Sequence, residues 1–207
     1  MATFVEELRK GFRFIGYGEA GEKFTFAAED GTPVYMLPVI VLGKSFNFRV
    51  ETEEAYVALP AAGTSLLLQG KLRRRKNSVE GLSGELTDLI TAGKPGWKQP
   101  TDADILAGLH FEGYGLVSRK ASGVYSGNAF SNIQVASWGT TLVFKHFAAD
   151  VFDRIVDESQ SYFSGSLDAK VVNSGTFVTD ELMPVIRQYR VFEEKTGTTK
   201  PTEKAAG

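Results

Sequence analysis

The chain lacks cysteine in all of its 207 residues, which excludes disulfide bonds, thiolate metal sites and a thiol nucleophile. It has only two histidines, His110 and His146, and their spacing does not suit a shared metal ion, so we expect no metal. No run reaches the roughly 18 apolar residues of a membrane span. The N-terminal sequence MATFVEELRKGF has no apolar signal core. These absences predict a cytoplasmic protein with no membrane partner.

The sequence also lacks a motif for catalysis. Residues 16–21, GYGEAG, match the glycine-rich dinucleotide fingerprint, but residues 22–31 alternate like a strand where that fingerprint requires a helix. Serine and aspartate are plentiful, yet no histidine partners them in a recognisable triad. We therefore expect no enzymatic activity, no cofactor and no small-molecule substrate.

What the sequence does contain is an internal repeat, because FIGYG at 14–18 returns as FEGYG at 111–115. Each copy is followed by the same order of elements. These are a β-rich run (33–50 and 129–145), a helical turn (52–59 and 148–155) and a strand with an internal glycine (65–72 and 161–167). The shared order predicts two similar structural units, since the glycines suit bent strands with bulges.

The repeat divides the chain into two predicted domains, at 1–90 and 105–192. A linker rich in Gly, Pro and polar residues joins them at 91–104, and the tail at 193–207 is expected to be disordered because it has no apolar face. The predicted fold is mostly β, with two tandem OB-folds. Each is a five-stranded β-barrel with a short helix between strands 3 and 4. A β-sandwich is the main alternative, but it gives no reason for one helix at the same place in both halves.

A dense group of cations follows a strand of the first repeat, in GTSLLLQGKLRRRKN at 63–77, although the whole chain has net charge −2. Period-2 geometry places Leu66, Leu68 and Leu72 on the core face and Lys71, Arg73 and Arg75 on the other. A row of cations on a strand suits a phosphate backbone. The alternative is a solvated hairpin whose charges block edge pairing. The candidate contacts are Lys71, Arg73, Arg74, Arg75 and Lys76.

Aromatic side chains of the second repeat are candidates for base stacking. Trp138 and Phe144 are six residues apart, so a regular strand would present both on one face, where exposed aromatics of an OB surface can stack bases. The alternative is that both belong to the core. Tyr125 is a further candidate, in the loop or strand after the first β element, with Arg119 and Lys120 nearby.

These segments resemble parts of bacterial single-stranded DNA-binding proteins. Residues 63–76 are similar to that family's fourth strand and following hairpin, which carry alternating apolar residues, glycine and Arg-x-Arg-Lys. Asn77 stands where the family usually has an aromatic residue. Residues 131–144 resemble its second and third strands.

In that family an aromatic residue at each end of the third strand faces the nucleic acid, and Trp138 and Phe144 resemble this pair. By the same comparison, Gly43 and Arg49 stand at the equivalent places of the first repeat, and Arg49 joins the candidate contacts. The family's usual acidic C-terminal tip is absent from this chain.

The resemblance implies a non-catalytic protein that binds single-stranded DNA and holds or protects it in replication, recombination or repair. The family commonly brings four OB domains together, so a chain with two of them is expected to form a homodimer. The main alternative is an OB-fold protein-interaction or assembly module without nucleic-acid binding. OB-mediated binding of RNA or oligosaccharide is a weaker third hypothesis.

Overall fold

The computed structural model describes residues 3–75, 78, 80–170 and 181–192, and the chain that they form is mostly β. The described strands join in one large sheet, which is antiparallel except for one short parallel pair. The predicted β-rich class is therefore confirmed. Lys76 and the tail at 193–207, for which we made predictions, lie outside the described residues. No helix among the described residues has the length and apolar character needed to cross a membrane.

The N-terminal half begins with a helix and continues with strands around a second short helix. Its elements are α1 (Phe4–Lys10), β1 (Arg13–Ala20), β2 (Phe24–Ala27), β3 (Pro33–Val41), β4 (Lys44–Val50), α2 (Glu53–Val57), β5 (Ser65–Arg74) and β6 (Leu82–Thr91). β1 pairs with β3 and β5, β3 pairs with β2 and β4, and β5 pairs with β6.

The C-terminal half repeats this order. Its elements are α3 (Asp102–Ala107), β7 (His110–Tyr125), β8 (Asn128–Ser137), β9 (Thr140–Phe144), β10 (His146–Phe147), α4 (Val151–Arg154), β11 (Gln160–Ala169) and β12 (Leu182–Val191). β7 pairs with β8 and β11, β8 pairs with β9, and β11 pairs with β12, while β10 is the strand that runs parallel to β12. The short helices predicted in each repeat are present as α2 and α4.

Helices α1 and α3 begin the two halves, and the sequence analysis did not predict either of them. Each starts with a capping box, in which Thr3 and Glu6, or Thr101 and Asp104, exchange hydrogen bonds between side chain and backbone. The hydrogen bonds from Thr101 lower the pKa of the Asp104 carboxyl. Each helix ends at a glycine with positive φ. Helix α3 begins at Asp102, so it starts inside the segment 91–104, which the sequence predicted to be a linker.

The two halves meet through their first strands about an approximate two-fold axis. β1 runs antiparallel to β7, and Phe14 lies opposite Phe111, its own counterpart in the repeat. The neighbouring residues pair in the same reciprocal way, which is the signature of an isologous contact. A second contact joins β6 to β12, where Leu82 lies opposite Leu182. The two halves of one chain therefore meet through the kind of symmetric contact that joins two identical subunits in a dimer.

Glycine is required at two positions where the first strands meet. A Cβ on Gly16 would approach Leu109, and a Cβ on Gly113 would lie 2.7 Å from the Cα of Phe12. These contacts are again reciprocal, since Gly16 and Gly113, like Phe12 and Leu109, occupy matching places in the repeat. The absence of a side chain allows the halves to approach closely.

Strands β5 and β11 each carry an internal glycine beside a bulge, as the sequence predicted. The ladder register shifts immediately before Gly70 in β5 and immediately before Gly165 in β11. A Cβ on Gly70 would collide with the ring of Phe14, and a Cβ on Gly165 would collide with the carbonyl of Val185. In each case the extra residue of the bulge lies on the partner strand, Thr87 of β6 or Arg187 of β12, and the glycine opposite leaves room for it.

Buried side chains from both halves form one contiguous hydrophobic cluster. The ring of Phe12, from the N-terminal half, lies 5.2 Å from Phe144, 6.4 Å from Phe111 and 6.0 Å from Phe163, between centroids. Each such aromatic contributes about 1.5–3 kcal/mol by leaving water. The halves thus share a core, and their separation into two domains at 91–104 stays a prediction.

Candidate nucleic-acid interface

A broad groove with a volume of about 1200 Å³ crosses the surface of the N-terminal half. Residues of β2, β4 and α2 line it together with the β5–β6 hairpin. Its lining includes four of the arginines predicted to contact nucleic acid, which are Arg49, Arg73, Arg74 and Arg75. Three of them come from the hairpin, whereas Arg49 comes from a separate strand, so the fold brings together residues that are far apart in sequence.

Strand β5 presents its side chains as the sequence predicted. Leu66, Leu68 and Leu72 are buried in the core, whereas Lys71 and Arg73 are partly exposed on the opposite face. Arg74 is exposed at the end of the strand, and its Nε donates a hydrogen bond to the carbonyl of Ser78, at 3.0 Å. The alternation therefore orients this part of the hairpin, although Lys71 does not line the groove.

Carboxylates from other strands accompany the arginines, which the local sequence does not reveal. Arg73 forms an ion pair with Glu85 of β6, and Arg75 lies 3.4 Å from Glu181, the residue immediately before β12. Among the residues that the structure describes, five carboxylates line the groove: Glu29, Asp30, Glu51, Glu85 and Asp88. The cation run is free of acids along the sequence, but antiparallel pairing brings acids opposite it. The groove as a whole is thus of mixed charge.

Phe26 is a groove residue that the sequence analysis missed. It lies on β2 with 38% of its surface exposed, and its ring is stacked on Phe24 with centroids 6.4 Å apart. The signal was present in the sequence, because residues 22–31 alternate like a strand and place both phenylalanines on one face. An exposed aromatic beside arginines gives the groove a surface on which a planar base could stack.

The prediction that Phe144 faces nucleic acid is wrong. Phe144 has 0% of its surface exposed and lies in the core, with its ring 6.0 Å from that of Phe111. Trp138 is 56% exposed, but it lies in the turn before β9 rather than in the strand. The guanidinium carbon of Arg9 lies 5.4 Å from the centre of the Trp138 ring. Trp138 does not line the groove of the N-terminal half.

The error came from counting Trp138 as part of the strand, because a residue in the turn does not fix the face on which Phe144 lies. The alignment of the two repeats was also wrong by one residue. The turns that precede β4 and β9 carry positive-φ glycines at Gly43 and Gly139, and these two glycines are the true counterparts. Phe144 therefore matches the buried Phe48. A shift of one residue moves every side chain of a strand to the other face. The same correction makes Lys145 the counterpart of Arg49.

The remaining candidates lie on or beside the β7–β8 hairpin. Tyr125 is 77% exposed at its tip, and Arg119 is exposed nearer the body. Lys120 has a structural role instead, because its Nζ donates hydrogen bonds to the carbonyls of Asp153 and Ile155 at the end of α4. The same ammonium lies 4.7 Å from the ring centre of Phe152.

Lys23 makes the equivalent contacts in the N-terminal half. Its Nζ donates to the carbonyl of Tyr56 at 3.0 Å and to that of Val57 at 3.3 Å, and it lies 5.0 Å from the Tyr56 ring centre. Cations are favourable at a helix C-terminus, where carbonyls lack partners within the helix. Both lysines therefore hold a short helix in place, and we withdraw Lys120 from the nucleic-acid contacts.

A smaller polar cleft of about 130 Å³ lies where α1 meets the C-terminal half. In it the hydroxyl of Tyr162 donates to Glu112 at 3.0 Å, and the guanidinium of Arg190 lies 4.4 Å from the Tyr162 ring centre. Burial raises the pKa of Tyr162. Within the described part of the chain, no group of three or more potential ligands could hold a metal ion.

Comparison with solved structures places the chain in a known class of fold. Over 93% of this chain and 98% of the other, it is similar to the wild-type single-stranded DNA binding protein from Thermus aquaticus, with a TM-score of 0.52 and 10% sequence identity. A deletion variant of that protein gives a TM-score of 0.51 at 11% identity, over 91% of this chain and 97% of that one. No protein-family model and no curated protein matches the sequence. At this level of identity the likeness concerns the fold alone.

Proposed function

We propose that the chain is a non-catalytic single-stranded DNA-binding protein made of two OB-fold units, which holds or protects single strands in replication, recombination or repair. The observation that carries this proposal is the groove of the N-terminal half, where Arg49 joins the arginines of the β5–β6 hairpin beside Phe26. The similarity in fold to the single-stranded DNA binding protein from Thermus aquaticus supports it.

The groove offers both kinds of contact that a single strand needs. Guanidinium groups donate pairs of hydrogen bonds to phosphate oxygens, and Arg74 is the arginine of the hairpin with the most exposed position. Phe26 supplies an apolar ring for a base, which requires no particular sequence because every base has a π-face. Because carboxylates share the groove, we expect moderate affinity that depends on both stacking and charge.

The C-terminal half would extend the binding path in this proposal. Tyr125 and Trp138 are exposed aromatics that could stack further bases, with Arg119 available for a phosphate. These residues lie outside the groove of the N-terminal half, so a bound DNA single strand would pass from one half of the chain to the other. Binding at both halves would gain from the high effective concentration of the second site.

We further propose a homodimer, so that four OB units surround the strand. The approximate two-fold contact between β1 and β7 already pairs two units within one chain. Light scattering would give about 45 kDa for the dimer, twice the 22.6 kDa of the chain. A particle of 22.6 kDa that binds DNA fully at micromolar concentration would contradict the need for a dimer.

Titration with fluorescent oligo(dT) tests the proposed function, with duplex DNA and oligo(U) as controls. We expect binding to oligo(dT) that weakens as salt rises and little binding to the duplex, because bases within a duplex are not free to stack on the groove. Absence of binding at low salt would contradict the proposal. It would favour the alternative, in which the sheet faces bind protein and the uncharged tip of the β7–β8 hairpin is one such surface.

A further inference from the structure

The carboxylate partners of two groove arginines suggest how the groove controls its own affinity. Glu85 pairs with Arg73, and the Oε2 of Glu181 lies 3.4 Å from Nη1 of Arg75. A carboxylate and a phosphate present similar oxygen acceptors to a guanidinium group. Each glutamate therefore binds the part of the guanidinium group to which a DNA phosphate would otherwise bind.

The ion pair of Arg73 and Glu85 can be exchanged because it is close to solvent, whereas the pair of Arg75 and Glu181 is less exposed, with side chains at 35% and 22%. The side chains of Arg73 and Glu85 are 41% and 42% exposed, so their attraction is screened by water. An incoming phosphate could therefore replace Glu85 without a large desolvation cost.

Each glutamate also has a second cation nearby. Glu85 lies opposite Lys71 across the β5–β6 ladder, and Glu181 is 3.0 Å from the Nζ of Lys170. When an arginine turns to a phosphate, its former partner retains a positive neighbour. This arrangement favours exchange of partners over simple loss of an ion pair.

We propose that Glu85 and Glu181 are internal competitors of DNA phosphate, which hold Arg73 and Arg75 in place and lower the affinity of the groove until a single strand displaces them. The proposal rests on the proposed function of the groove. Glu181 belongs to the C-terminal half and Arg75 to the N-terminal half. Binding at Arg75 would thus also loosen one contact between the two halves.

Charge-neutral variants of the two glutamates test this proposal in oligo(dT) titrations. Glu85→Gln and Glu181→Gln should each tighten binding about two- to fivefold at low salt, since an exposed ion pair contributes up to about that factor. The gain should shrink at high salt, where exposed charges are screened. Glu19→Gln is the matched control, because Glu19 is exposed on β1 and lies outside the groove. The Glu19→Gln variant should bind oligo(dT) with the wild-type affinity.

A double variant shows whether Glu85 acts through its arginine. If it does, Arg73→Gln should weaken binding, and adding Glu85→Gln to that variant should give less gain than it gives in the wild type. The proposal would be overturned if Glu85→Gln and Glu181→Gln both bind oligo(dT) as the wild type does, or more weakly. It would also be overturned if they gain no more affinity than Glu19→Gln. If the wild type binds oligo(dT) and Arg73→Gln weakens it, the proposed function stands even when the competition fails. A wild type that does not bind would overturn both.

Discussion

Truncating Phe26 tests whether the groove stacks bases. We expect Phe26→Ala to weaken binding of oligo(dT) about 5- to 150-fold, because stacking of one base on an aromatic ring is worth about 1–3 kcal/mol. We expect a loss of affinity in the lower part of this range, because Phe26 is only 38% exposed and its ring is already stacked on that of Phe24. Fluorescence anisotropy at a fixed salt concentration measures the change directly.

The stability of this variant separates a binding role from a packing role. Phe26 lies on the short strand β2 and is only partly buried, so its loss should lower the free energy of unfolding by less than about 2 kcal/mol. A urea titration measures this value. A much larger loss, with affinity falling only in proportion to the unfolded fraction, would identify Phe26 as a core residue.

Two further variants control the experiment. Leu116→Ala removes a large apolar side chain that is 39% exposed on β7 and does not line the groove, so it should leave the affinity unchanged. Phe26→Trp keeps an aromatic surface, and its fluorescence should be quenched when a base stacks on it. Wild-type affinity in Phe26→Ala, or an equal loss in Leu116→Ala, would refute the stacking role.

Three other substitutions test the fold around the site. Phe144→Ala should lower the free energy of unfolding by about 3–5 kcal/mol in urea titrations, because its ring is fully buried, whereas Trp138→Ala should change it by less than about 1 kcal/mol. Lys120→Met should cost about 1 kcal/mol of stability through the lost hydrogen bonds to α4 while oligo(dT) affinity stays constant. Gly113→Ala should destabilise the chain by about 1–3 kcal/mol, seen as a lower melting temperature, because the added Cβ meets Phe12. Unchanged stability in Phe144→Ala or Gly113→Ala, or a loss of affinity in folded Lys120→Met, would contradict these assignments.

Local patterns predicted much of the fold. The alternation of β5 correctly identified which residues face the core, because side chains of a strand alternate strictly between its faces. The repeat predicted the same order of elements in both halves. The capping box at Thr3 and Glu6 is also visible in the sequence, and attention to it would have predicted helix α1.

Contacts across long sequence distances could not be predicted in this way. The pairing of Arg75 with Glu181 depends on how β12 is placed beside β6, which no local pattern specifies. The face of Phe144 was inferred from its even spacing to Trp138, which is informative only within a strand, whereas Trp138 lies in the turn before β9. The reciprocal contact of Phe14 with Phe111 likewise arises only when the two halves are assembled.

The most direct test of the central claim is the salt dependence of oligo(dT) binding by the wild type and by a variant in which Arg73, Arg74 and Arg75 are all alanine. The logarithm of the affinity falls with the logarithm of salt concentration by about 0.7 for each phosphate that a protein neutralises on a single strand. If the hairpin binds phosphates in the groove, the variant should bind more weakly and its slope should be flatter by up to about 2 units. A folded variant with the wild-type affinity and slope would contradict the account.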